Sequence, residues 1–188
     1  GLRIDLIVPA SRDERKPWIT KEVNADVATK GFHSVTLTVR NVAPTAKILT
    51  DVFGYTLAKQ EGNKFRFVTD AIENASIVYI IEAPNLSKGN GAAGTNHHVA
   101  FRVKNDDILM EYREKIVSKG LNITPKIDRD YFYSLYFREP GGVLFELATD
   151  NPGFAKDEPL NELGTHLKLP QQYEQSRAEI EKILPVLD

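Results

Sequence analysis

The chain has 188 residues, a formal net charge of −2 and ordinary apolar (41%) and charged (27%) fractions, which excludes a disordered polymer and allows one good core or two small ones. No basic stripe recurs on one face, so nucleic acid and anionic membrane are excluded as partners and small molecules are expected. Cysteine is absent, which excludes a disulfide scaffold and thiolate chemistry; with no apolar run of roughly 18 residues and no signal peptide at its start, the sequence reads as cytoplasmic.

In chain order, "GLRIDL" (Gly1 to Leu6) echoes "GVLFEL" (Gly142 to Leu147) and sets Asp5 against Glu146. Residues 1–10 are therefore expected to be the last strand of a preceding module that lies outside this chain, with 11–30 as the linker. "HSVTLTVRN" (His33 to Asn41) alternates with period two and reads as a half-buried strand. A helix is predicted from about Pro44 to a stop at Gly54. Strands follow near Tyr55–Gln60, Lys64–Thr69 and Ser76–Ile81. After the glycine-bearing crossing "NLSKGNGAAGTN" the pattern repeats: "HHVAFRVKN" (His97 to Asn105) sets Val99, Val103 and Asn105 on Val35, Val39 and Asn41. A second helix then runs from Asn105 or Asp106 to Gly120, and strands follow near Ile123–Ile127, Tyr131–Arg138 and Val143–Thr149. The predicted fold class is α+β, with tandem βαβββ units over residues 31–150 forming a cup-shaped mixed sheet and helices on its outer face. Residues 151–188 are a C-terminal extension ending in an amphipathic helix, with Tyr173, Arg177, Ile180 and Leu184 at helical spacing. That helix is expected to be a packing lid or an oligomer contact, and a homo-oligomer is expected.

Three groups stand at matched ends of the repeated sheet: His33, His98 and Glu146. Two imidazoles and a carboxylate can occupy one face of an octahedral metal and leave the opposite positions open, as in non-haem iron(II) oxygenases. Neighbouring side chains on a strand point to opposite faces. Val99, Phe101 and Val103 form the apolar face of the second repeat, which puts His97 on that side and His98 with Ala100 and Arg102 on the other. The internal alignment sets His33 opposite His97, so either a bulge re-aims His33 or His33 is no ligand. The turn "REPGG", centred on Gly141, places Tyr136 directly opposite Glu146 at about 5 Å, on one face. A phenol there can hold or protonate an oxygen of a bound substrate. Arg129 stands just before the same strand and can pair with an anionic oxygen.

Other motif classes fail. The chain has no phosphate loop with a Lys-Ser/Thr pair, no nucleophile elbow and no dinucleotide fingerprint.

The segments "GFHSVTLTVR", "NHHVAFRV", "YSLYFREPGGVLFELATDNPGF" and "LPQQYEQSRAEIEKILP" resemble the second module of the vicinal oxygen chelate superfamily, the glyoxalase, bleomycin-resistance and extradiol dioxygenase group. More narrowly, they are similar to ring-cleaving dioxygenases that open hydroquinones. The resemblance spans Gly31 to Leu187, and "REPGG-x-x-FE-x-ATD-x-PGF" is its most specific part. It implies a two-module enzyme that uses iron(II) and dioxygen to cleave a small aromatic diol, with manganese(II), zinc(II) and nickel(II) as alternative metals. In the narrower family one histidine and the metal carboxylate come from this module, matching His98 and Glu146, and the other histidine comes from a His-His pair opening the N-terminal module. His97, Arg129 and Tyr136 match positions around that metal site. In the wider extradiol group all three ligands lie in one module, where His33, His98 and Glu146 have suitable separations. The outer histidine of those catechol enzymes is missing where this chain reads "IIEAPN", so catechols are less favoured than hydroquinones. Two alternatives stay open: a glyoxalase-like isomerase or thiol transferase, which needs a fourth ligand such as Glu82, and a metal-free small-molecule-binding module.

Overall fold

The repeated asparagine explains where both helices start. In the computed structural model, which describes residues 2–10 and 12–185, the Asn41 side chain accepts a hydrogen bond from Ala43 N (3.0 Å) at the head of α1 (Val42–Asp51). Asn105 accepts likewise from Ile108 N (3.1 Å) at the head of α2 (Asp106–Ser118). Each cap satisfies a backbone donor that the first turn leaves free. α1 thus starts two residues before Pro44, and the proline still falls among the first four positions, where no N–H is needed. Gly54 (φ +71°) and Gly120 (φ +77°) follow the two helices in left-handed backbone, which only glycine adopts without strain.

Each unit folds its own four-stranded mixed sheet. The first holds β1 (Ser34–Val39), β2 (Thr56–Glu61), β3 (Lys64–Val68) and β4 (Ile77–Glu82) in the order β1-β4-β3-β2. The second holds β5 (Val99–Val103), β6 (Ile127–Asp128), β7 (Phe132–Arg138) and β8 (Leu144–Pro152) in the order β5-β8-β7-β6. In each, the first and last strands pair in parallel and the others antiparallel. The strand expected at Ile123–Ile127 shrinks to Ile127–Asp128 plus a single bridge from Ile123 to Phe137; Pro125 between them has no ladder donor. β8 runs three residues past the expected Thr149, to Pro152.

The extension departs from a single helix. Gln171–Ser176 is 3-10 and only Arg177–Ile183 (α3) is α-helical, so Tyr173 and Leu184 fall outside α3. Both are exposed, and a helix that buries little apolar surface has too little packing to lengthen it. At the other end, residues 2–10 pair with no strand among the described residues, and Ile4, Leu6 and Val8 are exposed. Gly1 and Ser11, in the expected strand and linker, and residues 186–188, at the end of the expected extension, lie outside the described residues. Among the described residues no helix is long and apolar enough to cross a membrane.

The two units share one core. Phe53, just past α1, stacks on Phe101 of β5 at 4.2 Å between centroids and lies 5.7 Å from Tyr112 of α2 and 6.2 Å from Phe145 of β8. The helix-side faces of both sheets are thereby joined, and the opposite faces are left for chemistry. Phe53→Ala is expected to destabilise the whole chain by about 3–5 kcal/mol, read as a lower urea midpoint in one transition monitored at both units. A second tie is polar. Glu139, only 2% exposed, accepts from Thr45 Oγ1 of α1 (2.7 Å) and from Gly141 N and Val143 N (both 2.8 Å). It fixes the β7–β8 turn against the first unit's helix. A methyl on Gly141 would collide with Thr45 Oγ1, Glu139 Oε1 and Val39 Cγ1, which is why the turn needs glycine there.

Candidate functional site

The hairpin register meets the turn arithmetic: Tyr136 is opposite Glu146 and Ala100 is Glu146's parallel partner on β5. Three strands therefore carry Ala100, Glu146 and Tyr136 side by side on the face away from the helices, and His98 lies two residues before Ala100 on that face. The Tyr136 hydroxyl donates to Glu146 Oε1 (2.5 Å). His98 Nε2 meets Glu146 Oε2 at 2.7 Å, and its ring stands at 83° to that of Tyr136 with centroids 5.6 Å apart. His97 Nδ1 is 2.9 Å from His98 Nδ1, so the second histidine touches the first rather than the carboxylate. Arg129 Nε donates to the buried Ser134 Oγ (3.3 Å), and its guanidinium lies 5.4 Å from the Tyr136 ring centre. The structure thus brings His97, His98, Arg129, Tyr136 and Glu146 together.

Glu146 is 3% exposed, and a buried carboxylate needs a cation or hydrogen bonds to both oxygens. Tyr136 serves one oxygen and His98 the other. With the Nε2 proton removed, the imidazole lone pair and Oε2 face each other, a nitrogen and oxygen donor pair of the kind that holds divalent iron, manganese or zinc. The donor pair fits such a metal; among the described residues no group of three His, Cys, Asp or Glu able to hold a metal occurs.

His33 does not join this cluster. β1 pairs with β4 without any register shift, so no bulge re-aims it, and its Nδ1 lies 3.1 Å from Ser34 Oγ. The registers make the reason explicit. Thr36 partners Tyr79, which partners Arg66, as Ala100 partners Glu146, which partners Tyr136. In the first unit Ser34, Tyr79 and Arg66 occupy the places of His98, Glu146 and Tyr136, and His33 occupies that of His97. Glu82 is engaged elsewhere: its Oε1 accepts from Val42 N (2.9 Å) at the start of α1.

A cleft of about 370 Å³ opens against Glu146, walled by Tyr131, Phe132 and Phe154 and floored by Ala100 and Ala148. Tyr131 and Phe154 stack at 5.3 Å. Desolvation, and then its hydrogen bond to Asp157, hold the Tyr131 phenol above its usual range. Phe154 belongs to the "DNPGF" segment, and its own part in this wall is not among the sequence-based expectations; the signal is Phe154 following Pro152-Gly153 directly after the site strand.

Residues 31–147 match the Glyoxalase/Bleomycin resistance protein/Dioxygenase superfamily. The chain belongs to that superfamily. Within the glyoxalase/dioxygenase superfamily it is 39% identical over 186 residues to MhqO of Bacillus subtilis (strain 168), whose name gives ring-cleaving dioxygenase as a provisional activity; the match covers 98% of this chain and 59% of MhqO. It is 30% identical over 185 residues to the chlorohydroquinone/hydroquinone 1,2-dioxygenase of Sphingobium indicum, covering 96% of this chain and 57% of that protein. A dioxygenase crystal structure from Bacillus subtilis subsp. subtilis str. 168, its activity also provisional, superposes with a TM-score of 0.86 at 38% identity, over 94% of this chain and 57% of that one. The fold alone is shared with the fosfomycin resistance protein FosX from Listeria monocytogenes, at a TM-score of 0.52 and 24% identity over 64% of this chain and 90% of FosX. The chain spans less than three fifths of the length of the two curated relatives.

Proposed function

We propose that this chain is part of a metal-dependent ring-cleaving dioxygenase acting on hydroquinone-type aromatic diols, with catechol-type diols as the less favoured class. The observation that carries the reading is the convergence of His98 Nε2 and Tyr136 Oη on the two oxygens of a buried Glu146, beside an aromatic-walled cleft. The relatives' names point the same way. His98 and Glu146 hold the metal, and the third ligand comes from the N-terminal module of the longer protein. Bound there, iron(II) supplies Lewis acidity toward an aryl hydroxyl and the electron that activates dioxygen.

The chain's own residues divide the remaining work. Tyr136 orients Glu146 through Oε1 and sits where it can hold or return a proton at a substrate hydroxyl. His97 fixes the ring of His98 through the Nδ1 contact. Arg129, braced on Ser134 and set over Tyr136, keeps a positive charge near a developing oxyanion. The aromatic wall gives the ring an apolar surface to lie against. A glyoxalase-like reading needs a fourth protein ligand, and Glu82 is occupied in capping α1.

Anaerobic loading of the full-length protein with iron(II), followed by oxygen-uptake assays on hydroquinones and catechols, tests the proposal; an iron-loaded protein that consumes no oxygen on any diol would sink it. Tyr136→Phe is expected to lower turnover about 10–100-fold and to lower the thermal unfolding midpoint modestly, because Oε1 of the buried Glu146 loses its donor, checked by steady-state oxygen uptake beside a melting curve.

A further inference from the structure

The first unit repeats the frame of the candidate site with its charge inverted. Across β1, β4 and β3 the places of Ala100, Glu146 and Tyr136 are held by Thr36, Tyr79 and Arg66. Where the second unit sets a carboxylate that calls for a cation, the first sets a guanidinium. Arg66 is half-buried, and its Nε is buried without a hydrogen-bond partner. A charged donor left in this way lowers stability until an acceptor reaches the group. The two oxygens of Glu146, by contrast, both have partners.

The neighbouring strands do not supply that acceptor. Cross-strand pairing puts Lys59 and Glu61 of β2 on the face of Arg66 and Lys64. Glu61 is tied to Lys59 at 2.8 Å, and Lys64 Nζ rests 4.3 Å from the centre of the Tyr79 ring. Glu82 is engaged at the start of α1, where it accepts from Val42 N. These strands therefore set three cations against one carboxylate on this face, and that carboxylate is in use. The remaining positions beside Arg66 and Tyr79 are aliphatic: Val68, Ile77 and Ile81 share their face and are half-buried. A guanidinium bordered by aliphatic side chains suits an anion with an apolar body, and its planar fork matches a carboxylate.

We propose that this face of the first unit is a second ligand site, taking a small organic acid whose carboxylate pairs with Arg66 and whose apolar body lies on Val68, Ile77 and Ile81. Ring cleavage plays no part in it, since the two faces belong to separate sheets.

The experiment is an anaerobic calorimetric titration of the full-length, iron-loaded protein with benzoate, with its neutral counterpart benzamide and with inorganic phosphate. Wild type is expected to bind benzoate at least about tenfold tighter than either, the scale of one charge-assisted pair. Arg66→Gln is expected to weaken benzoate at least about tenfold and to leave benzamide unmoved. Iron content and oxygen uptake should stay at the wild-type level, because His98 and Glu146 are untouched. Lys59→Glu, at a side chain 60% exposed and in register with Arg66, places a carboxylate beside the guanidinium and is expected to weaken benzoate by a similar factor. It decides the case if Arg66→Gln does not fold. Benzoate that binds both variants as tightly as wild type, or does not bind wild type at all, would overturn the proposal. Phosphate or benzamide bound as tightly as benzoate would overturn it too, by removing the need for an organic body or for a charge.

Discussion

Replacing Glu146 by glutamine is expected to abolish tight iron binding by the full-length protein and to cut turnover at least about 10³-fold, the kinetic equivalent of ~4 kcal/mol. The isostere keeps the shape of a side chain that is 3% exposed and still accepts the Tyr136 hydroxyl bond, so the hairpin and its register persist. It removes the only formal negative charge among the five gathered groups, and with it the reason for a cation to leave water. Iron content after anaerobic loading, oxygen uptake and a melting curve read the three consequences separately. A Glu146→Gln protein that retains iron and turns over at the wild-type rate would show that the carboxylate is structural.

The second large effect separates the adjacent histidines. His98→Ala is expected to lose metal affinity well beyond the ~10–100-fold that an outer hydrogen-bond partner is worth, and His97→Ala to stay within that range while turnover falls. The geometry behind this is asymmetric. His98 reaches Glu146 through Nε2, whereas His97 makes its contact with His98 Nδ1 and acts through its neighbour. Iron titration of the two variants under anaerobic conditions checks the order of the affinities, and the reverse order would assign the ligand role to His97.

Much of this was legible because local chemistry and global fold agree. Asn41 and Asn105 repeat because each caps a helix. Gly141 centres a turn whose symmetry sets Tyr136 against Glu146, so a count along the chain was enough. The doubt over His33 was also legible: parity assigned it to the His97 place, and an unbroken β1–β4 register keeps it there. What the pattern did not carry were contacts between units. Glu139 sits in a turn and carries a charge, both marks of exposure, yet it is buried because Thr45, on the first unit's helix, donates to it. Phe53 reads as one more apolar residue after a helix, and its partners Phe101 and Phe145 lie some fifty and ninety residues away. The short β6 follows from Pro125, whose lack of a donor outweighed the isoleucines on either side.

The Phe53 stack also says how the halves are held. The covalent connection, residues 84–96, runs exposed over the surface, while the aromatic junction lies in the interior. An insertion or a proteolytic nick in the connection would alter chain continuity and leave that junction whole. The two units are in effect the subunits of a dimer whose interface happens to be tethered, and the armed face of one is presented on the frame of the other.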